Sequence, residues 1–400
     1  MTAKILASCQ LEQEVSYLGA GDADPRMVAV QEPIDTSGLV REVIEDSTQR
    51  ASIWDAGDAP TLGLRQGEIA IPVDLAGLAA NDGGAVTDDS DGKIISAAIG
   101  SSAGGTGSTV EASPAPTTTV FTVVSAAGLS ATKMVLVDCG DDGHRAAAIQ
   151  EVDAAALTLA TPLPSAPATS AKVYAGVTYS LSETRKTYKV VVNKDAQPLG
   201  HLMEGVHFVP EFSQLGAGEG KARMTLRGTI GDWEHQASTL ATDGPPDTFT
   251  APGVIQDEGW FMLSDGTDAI SCIVSAVTMS NLLTQMRRKD ACKRNCVGTP
   301  ELMPSMDKSL TAELWQPAGA TADPITQLRT WFAAGTKLKL IYQVGGQPAD
   351  ALAWFFPAVV LSQEPVEIDK DSLTAISAVF KVTIDRASLV FTKPWYFARF

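Results

Sequence analysis

Cysteine is scarce in this chain. There are five, Cys9, Cys139, Cys272, Cys292 and Cys296. An odd number at irregular spacing does not make a disulfide framework, so reduced thiols are expected. No apolar run reaches the roughly 18 residues that a spanning helix needs, so no membrane insertion is expected. The N-terminus lacks a charged segment followed by a long apolar one, so no signal peptide is expected. Aromatic residues make up only 6%, and the seven tryptophans are scattered, which argues against a carbohydrate-binding face. Positive charge is also short. With 30 Lys and Arg against 47 Asp and Glu, the net charge is −17, which excludes binding of nucleic acid by phosphate neutralisation.

Reactive constellations are missing too. No two of His144, His201, His207 and His235 have the i, i+4 spacing of a helical zinc site, and His201 and His207, near a strand-rich hairpin, read as structural. Cys292 and Cys296 could be half of a metal site, but no second Cys/His pair follows at a useful spacing. The segment from Gly216 to Lys221 loosely resembles a phosphate loop. It lacks the Gly-Lys-Ser/Thr ending and a following helix, so it reads as a hairpin tip. Gly100 to Gly104 has the letters of a Gly-x-Ser-x-Gly elbow without the strand before or the helix after. Carboxylates are plentiful, but an acidic surface accounts for them. A glycosidase would need a carboxylate pair at a cleft, and nothing points to one. No cofactor, metal or catalytic residue is expected, and the chain reads as a structural protein rather than an enzyme.

What is present is a β-rich pattern. The 34 glycines and 22 prolines fit short strands joined by turns, and 44% hydrophobic content makes the chain globular. Val120–Val124, Met134–Val137, Tyr188–Val192, Lys337–Tyr342 and Ala378–Ile384 read as strands. Two segments read as helices. In the first, Asp323 caps, Pro324 opens and Gly335 ends the helix, with Ile325, Leu328 and Phe332 on one face. The second runs from about Asp89 to Gly100, with Ile94, Ile95, Ala98 and Ile99 apolar. Residues 100–119 and 161–171, rich in Ala, Ser, Thr, Pro and Gly, read as flexible linkers around a small β module. A further boundary falls near Asp243-Gly244-Pro245-Pro246.

With residues 116–175 set aside, the two halves follow one plan. A strand leads into a polar arm, at Leu39–Asp46 in one half and Leu282–Asp290 in the other. A proline-bearing loop follows (Pro60; Pro300 and Pro304), then an alternating strand, Glu68–Leu75 or Ser309–Trp315. Each half then has its one helix and a closing hairpin, Gly205–Gly228 or Pro357–Val382. Asp46 and Asp290 lie 244 apart, Leu75 and Leu314 239, and Gly100 and Gly335 235, a slow drift that fits a diverged duplication. The first-half arm is acidic at Glu42, Glu45 and Asp46. The second-half arm is basic at Arg287, Arg288, Lys289, Lys293 and Arg294. Either these are candidate complementary contacts between subunits, or the basic stretch is an ordinary solvated loop.

This order of elements resembles the major tail tube proteins of long-tailed, siphovirus-like, non-contractile phages. Four features carry the resemblance: the arms at Leu39–Gly67 and Leu282–Lys308, the strand-to-helix segments Glu68–Gly100 and Ser309–Gly335, the hairpin Gly205–Gly228, and the lead-in Ile273–Asn281. No single motif is diagnostic. The resemblance implies a mainly β fold of duplicated tail-tube β-sandwich or barrel domains. The first would be discontinuous, at 1–115 and 176–243, and the second at 244–400. The small β domain at 116–175 looks like the extra domains that decorate some tube subunits. It further implies stacked rings that conduct DNA, built as a homotrimer with pseudo-sixfold symmetry or as a homohexamer. Tape measure, tail terminator and distal tail proteins would be partners, with double-stranded DNA present only in transit. The protein would be assembled in the host bacterial cytoplasm and end in the virion tail. An acidic lumen would let DNA slide without sticking. The alternatives are another virion component (tail terminator, baseplate hub or head decoration protein) and an adhesin-like β protein.

Overall fold

A computed structural model describes residues 8–14, 26–28, 34, 39–44, 61–78, 84–86, 90–182, 186–193, 200–213, 215–216, 220–236, 260–280, 282, 284–286, 301–303, 308–315, 323–370, 373–386 and 388–400. The chain opens with β1 (Ser8–Gln13), β2 (Arg26–Val28), β3 (Val40–Ile44), β4 (Thr61–Gln66), β5 (Glu68–Asp74), α1 (Ser90–Ile99) and β6 (Gly100–Ala103). A middle stretch holds β7 (Ser108–Thr109), β8 (Val120–Thr122), β9 (Met134–Asp138), β10 (His144–Asp153), β11 (Ala156–Leu159) and β12 (Lys172–Ala175). The first half resumes with β13 (Val177–Leu181), β14 (Tyr188–Asn193), β15 (Gly200–Ser213), β16 (Leu215–Gly216), β17 (Arg223–Thr229) and β18 (Asp232–Gln236). The second half is β19 (Trp260–Ser264), β20 (Ala269–Ser280), β21 (Thr284–Met286), β22 (Glu301–Met303), β23 (Ser309–Trp315), α2 (Pro324–Ala334), β24 (Leu338–Gln347), β25 (Asp350–Leu361), β26 (Val366–Lys370), β27 (Leu373–Val382) and β28 (Tyr396–Arg399). The fold is mainly β and antiparallel, as the sequence predicts.

Strand pairing repeats between the halves. In the first, β1 pairs with β2 and β14, β14 with β15, β15 with β17, and β17 with β5. In the second, β19 pairs with β20 and β24, β24 with β25, β25 with β27, and β27 with β23. Each of these first-half pairings has its counterpart in chain order, and β6·β13 stands outside the repeat. Each half also carries a two-stranded arm, β3·β4 between β2 and β5, and β21·β22 between β20 and β23. A helix follows the arm-closing strand in both halves. Among the described residues the second half adds β20·β23, which closes β19, β20, β23, β27, β25 and β24 into a barrel. Closure removes open edges from that unit.

Local chemistry explains both helices. The Asp323 carboxylate accepts from the Ile325 N–H at 3.3 Å and the Thr326 hydroxyl at 2.8 Å, and Pro324 sits in the first turn. Gly335 ends α2 in the left-handed region at φ 60°. The buried face is Ile325, Leu328 and Trp331, and the half-buried Phe332 packs against the same core as expected. Trp331 joins that face, its indole N–H reaching the Asp265 carboxylate at 2.9 Å. In α1, Ile94, Ile95, Ala98 and Ile99 are buried as predicted.

The middle stretch departs from expectation at its ends. Its six-stranded sheet runs β7-β12-β9-β10-β11-β8, so it begins upstream of residue 116. A Val110–Val123 bridge joins the outer strands, with Glu111 N–H to Thr122 O at 2.8 Å and Val124 N–H to Thr109 O at 2.9 Å, making a closed barrel. Neither expected linker is a loose tether. Within 100–119, β6 pairs with β13 and β7 with β12. Within 161–171, Thr161, Leu163 and Ala171 are buried, and Leu163 N–H bonds Thr118 O at 2.9 Å. The Gly100–Gly104 segment follows a helix and is itself a strand, the reverse of a nucleophile elbow. The boundary expected at 243–246 lies outside the described residues.

Candidate assembly surface

Three apolar cores decide which surfaces are covered. The largest is shared by both halves and includes Ile71, Phe208 and Leu226 of the first and Leu310, Leu340 and Phe380 of the second. The inserted barrel has its own, built on Phe121, Val135, Ile149, Leu157 and Val173. A third lies between that barrel and the second half. It holds Met134, Leu136, Ala146 and Ala148 on one side and Trp260, Ile341, Ala353 and Phe355 on the other. Strands β9, β10, β24 and β25 each serve two cores, one per face, which is why they read as continuous apolar runs.

Polar groups fasten the same junction. The buried Gln343 side chain accepts from Ala146 N–H at 2.7 Å and donates to the carbonyls of His144 at 3.0 Å and Gly345 at 2.8 Å. Lys339 donates to Gln150 at 3.0 Å, and the Arg145 guanidinium lies 5.7 Å from the centre of the Trp260 ring. Burial holds the Lys339 ammonium below its ordinary pKa, with Asp385 pulling the other way. The inserted barrel is therefore packed onto the second half and does not hang from flexible linkers.

A second junction binds the halves to each other. β28 pairs with β25 on one edge and β13 on the other. Arg399 is fully buried. Its guanidinium donates to Ala76 O at 2.7 Å and Gly77 O at 2.9 Å, and lies 3.4 Å from the Tyr179 hydroxyl. Gly77 is required by close approach, since a Cβ there would stand 2.2 Å from the Ala349 carbonyl oxygen. Phe212 of β15 reaches into the second half, where its ring meets Trp354 edge-on at 5.3 Å and Trp395 at 6.0 Å.

One face is left uncovered. β5 and β23 alternate strictly, with every second residue buried and the others partly or fully exposed. The outward residues form a ladder across β15, β17 and β5. Arg227 pairs with Glu211 across strands, and Arg223 binds Asp74 at 3.1 Å with Lys221 3.6 Å from the same carboxylate. Across β20, β23 and β27 the corresponding face is hydroxylic, with Thr278, Thr311 and Ser377 outward and Glu313 and Lys381 the charged members. The ladders are joined. β16, which continues β15, pairs with β20 through Leu215–Val277 and Gly216–Ala276. The segment expected as a free hairpin tip thus begins as a strand between the halves, giving one sheet in the order β5, β17, β15/β16, β20, β23, β27, β26. It ends at β26 on one side. On the other, no strand pairs with the far edge of β5 among the described residues.

The candidate contact residues belong to the arms. Glu42 lies in β3. Glu45 and Asp46 follow β3, and Arg287, Arg288, Lys289, Lys293 and Arg294 follow β21, all outside the described residues. Sequence reading missed the β16·β20 joint and the edge strand β26. The first is two residues long, and the second is hidden within the Pro357–Val382 hairpin. Among the described residues no three His, Cys, Asp or Glu side chains are grouped to hold a metal ion. Cys9, Cys139 and Cys272 are free and buried, and burial pushes each thiol up to about 12, far from the thiolate that nucleophilic chemistry needs. No helix among the described residues is long and apolar enough to cross a membrane. No known protein family matches the chain, and no curated protein matches it either.

Proposed function

We propose that this chain is a structural subunit that assembles into stacked rings and forms the tail tube of a long-tailed phage, with no catalytic activity of its own. One observation carries the proposal: two units with the same strand order are fused edge to edge into a single antiparallel ladder, which has an uncovered face and, among the described residues, an unpaired edge at either end. A sheet edge is a template for another chain, and a fold that keeps one open invites pairing with its neighbour. A head-to-tail contact of this kind generates a ring when its rotation closes. If each half is one tube unit, three chains supply six units.

The uncovered ladder face is the candidate channel wall. It is less acidic than the net charge of −17 suggests, because Glu211 and Asp74 are matched by Arg227 and Arg223. Those guanidinium groups are already held by carboxylates, which leaves them poor partners for DNA phosphates in transit. Tape measure, terminator and distal tail proteins would meet the ends of the assembly.

Negative-stain electron microscopy of the purified protein over a concentration series tests the proposal. Tubes or stacked rings with a central channel are expected. A monomer at every concentration, with tail initiator components added, would overturn it. Single rings that never stack would favour a terminator.

A further inference from the structure

Both stems of the inserted barrel hang on one short strand. The chain enters that barrel from β6 and leaves it through β12, Gly176 and β13. β13 pairs with β6 on one edge and with β28 on the other. Among the described residues β6 and β13 join the second-half sheet through β28 alone, in the order β25-β28-β13-β6. The same segment serves three neighbours at once. Trp395 and Phe397 are buried in the core that the halves share, and Tyr396, Ala398 and Phe400 in the core between the inserted barrel and the second half. Leu78 N–H bonds Phe400 O at 2.8 Å and Phe400 N–H bonds Ala351 O at 2.9 Å, which ties both halves to one residue. The Phe400 ring also closes on the exit stem, where a Cβ at Gly176 would stand 2.5 Å from it.

None of these contacts is local. Arg399 and Tyr179 are 220 residues apart, and Arg399 and Ala76 are 323 apart. Contacts of such separation carry a large loop-closure cost and form late. By contrast, among the described residues the second-half barrel closes through β20·β23 without β28, and the inserted barrel has its own core and its own closing bridge. We infer that residues 395–400 are a strap whose docking is the last step in making the subunit. Docking aligns the first half, the second half and the inserted barrel. Undocking takes the sheet from β6 and β13, Arg399 from the Ala76 and Gly77 carbonyls, and Phe400 from the third core, while both barrels stay closed. The consequence for assembly rests on the tube proposal: a chain with its strap undocked is held back from forming tubes.

Native-state hydrogen exchange in mild denaturant tests the strap without any substitution. Residues 76–78, 100–103, 177–181 and 396–399 should open together, before the second-half strands at 310–314 and 376–380 and the inserted-barrel strands at 134–137 and 146–149. A single opening for all of them would overturn the inference. Ala398→Pro in the full chain adds a second test. Ala398 lies between Ala353 and Thr178, so proline breaks the ladder at the strap. Exchange at 100–103 and 177–181 should quicken about tenfold or more, as the loss of a ladder bond implies, with the two barrels still protected. Unchanged exchange at those stems, or equal loss of protection in both barrels, would overturn it. Tubes formed by this variant at the native threshold would overturn the consequence for assembly. A native chain that opens in the expected order but never assembles would support the strap and overturn the tube proposal instead.

Discussion

Among the described residues, β20·β23 closes the ladder of the second half, and no strand pairs with the far edge of β5 in the first. The pairings they share show that one strand plan serves both. The difference shows what each half needs from outside. The second half is a finished barrel whose outer face at β24 and β25 is covered by the inserted barrel. The first half borrows. Its Phe212 is buried among second-half aromatics, and the Ala76 and Gly77 carbonyls are satisfied by Arg399 from the far end of the chain. The comparison predicts that substitutions at the joints will unbalance the halves, and that the first will give way before the second.

The largest effect is expected at Phe212→Ala. It removes a ring that two tryptophans pack against and leaves a cavity at the joint, costing about 4 kcal/mol. Denaturant unfolding that stays one sharp transition with an unchanged midpoint would contradict the borrowed-core account. Arg399→Leu comes next. It strands two buried carbonyls for a cost of about 3 kcal/mol, read as a lower melting temperature with earlier hydrogen exchange at 76–78. Gln343→Leu acts on the other joint. It leaves the Ala146 N–H and the His144 carbonyl without their partner, for about 2 kcal/mol. Limited proteolysis should then release the inserted barrel while the second-half barrel survives.

The smallest effect is at α2. Asp323→Ala removes the cap and should cost about 1 kcal/mol by thermal melting. Asp265 adds a pH dependence. Burial raises its pKa, but hydrogen bonds from the Asp268 and Thr267 N–H groups and the Trp331 indole outweigh this and hold the carboxyl below its ordinary 3.8. A folded-state pKa below the unfolded one stabilises above that ordinary value and is lost as pH falls through the lower one. Trp331 fluorescence should therefore change in acid below about pH 4, and Asp265→Asn should flatten that change.

Much of this architecture is legible in the sequence where one physical rule acts alone. The alternation at Glu68–Asp74 and Ser309–Trp315 marks half-covered strands, and the structure buries every second residue in both. The Asp-Pro start and Gly end of α2 fix its limits by local capping. Legibility fails where tertiary context overrides composition. Residues 100–119 look like a flexible tether, yet their backbone groups are claimed by β13 and β12, which lie far along the chain. Trp331 is buried beside Phe332 because Asp265, 66 residues away, offers its indole an acceptor. The β16·β20 joint rests on backbone pairing between two segments, and backbone pairing leaves little mark on side-chain pattern. The charged arms show up as composition, but composition says nothing of what they touch.

The most direct test of the central claim is a cryo-electron microscopy map of the assembled tube at a resolution that separates strands. The account predicts that the uncovered face of the ladder β5, β17, β15/β16, β20, β23 and β27 lines the channel in every copy. A tube whose channel is lined by other elements, with that face turned outward, would contradict it.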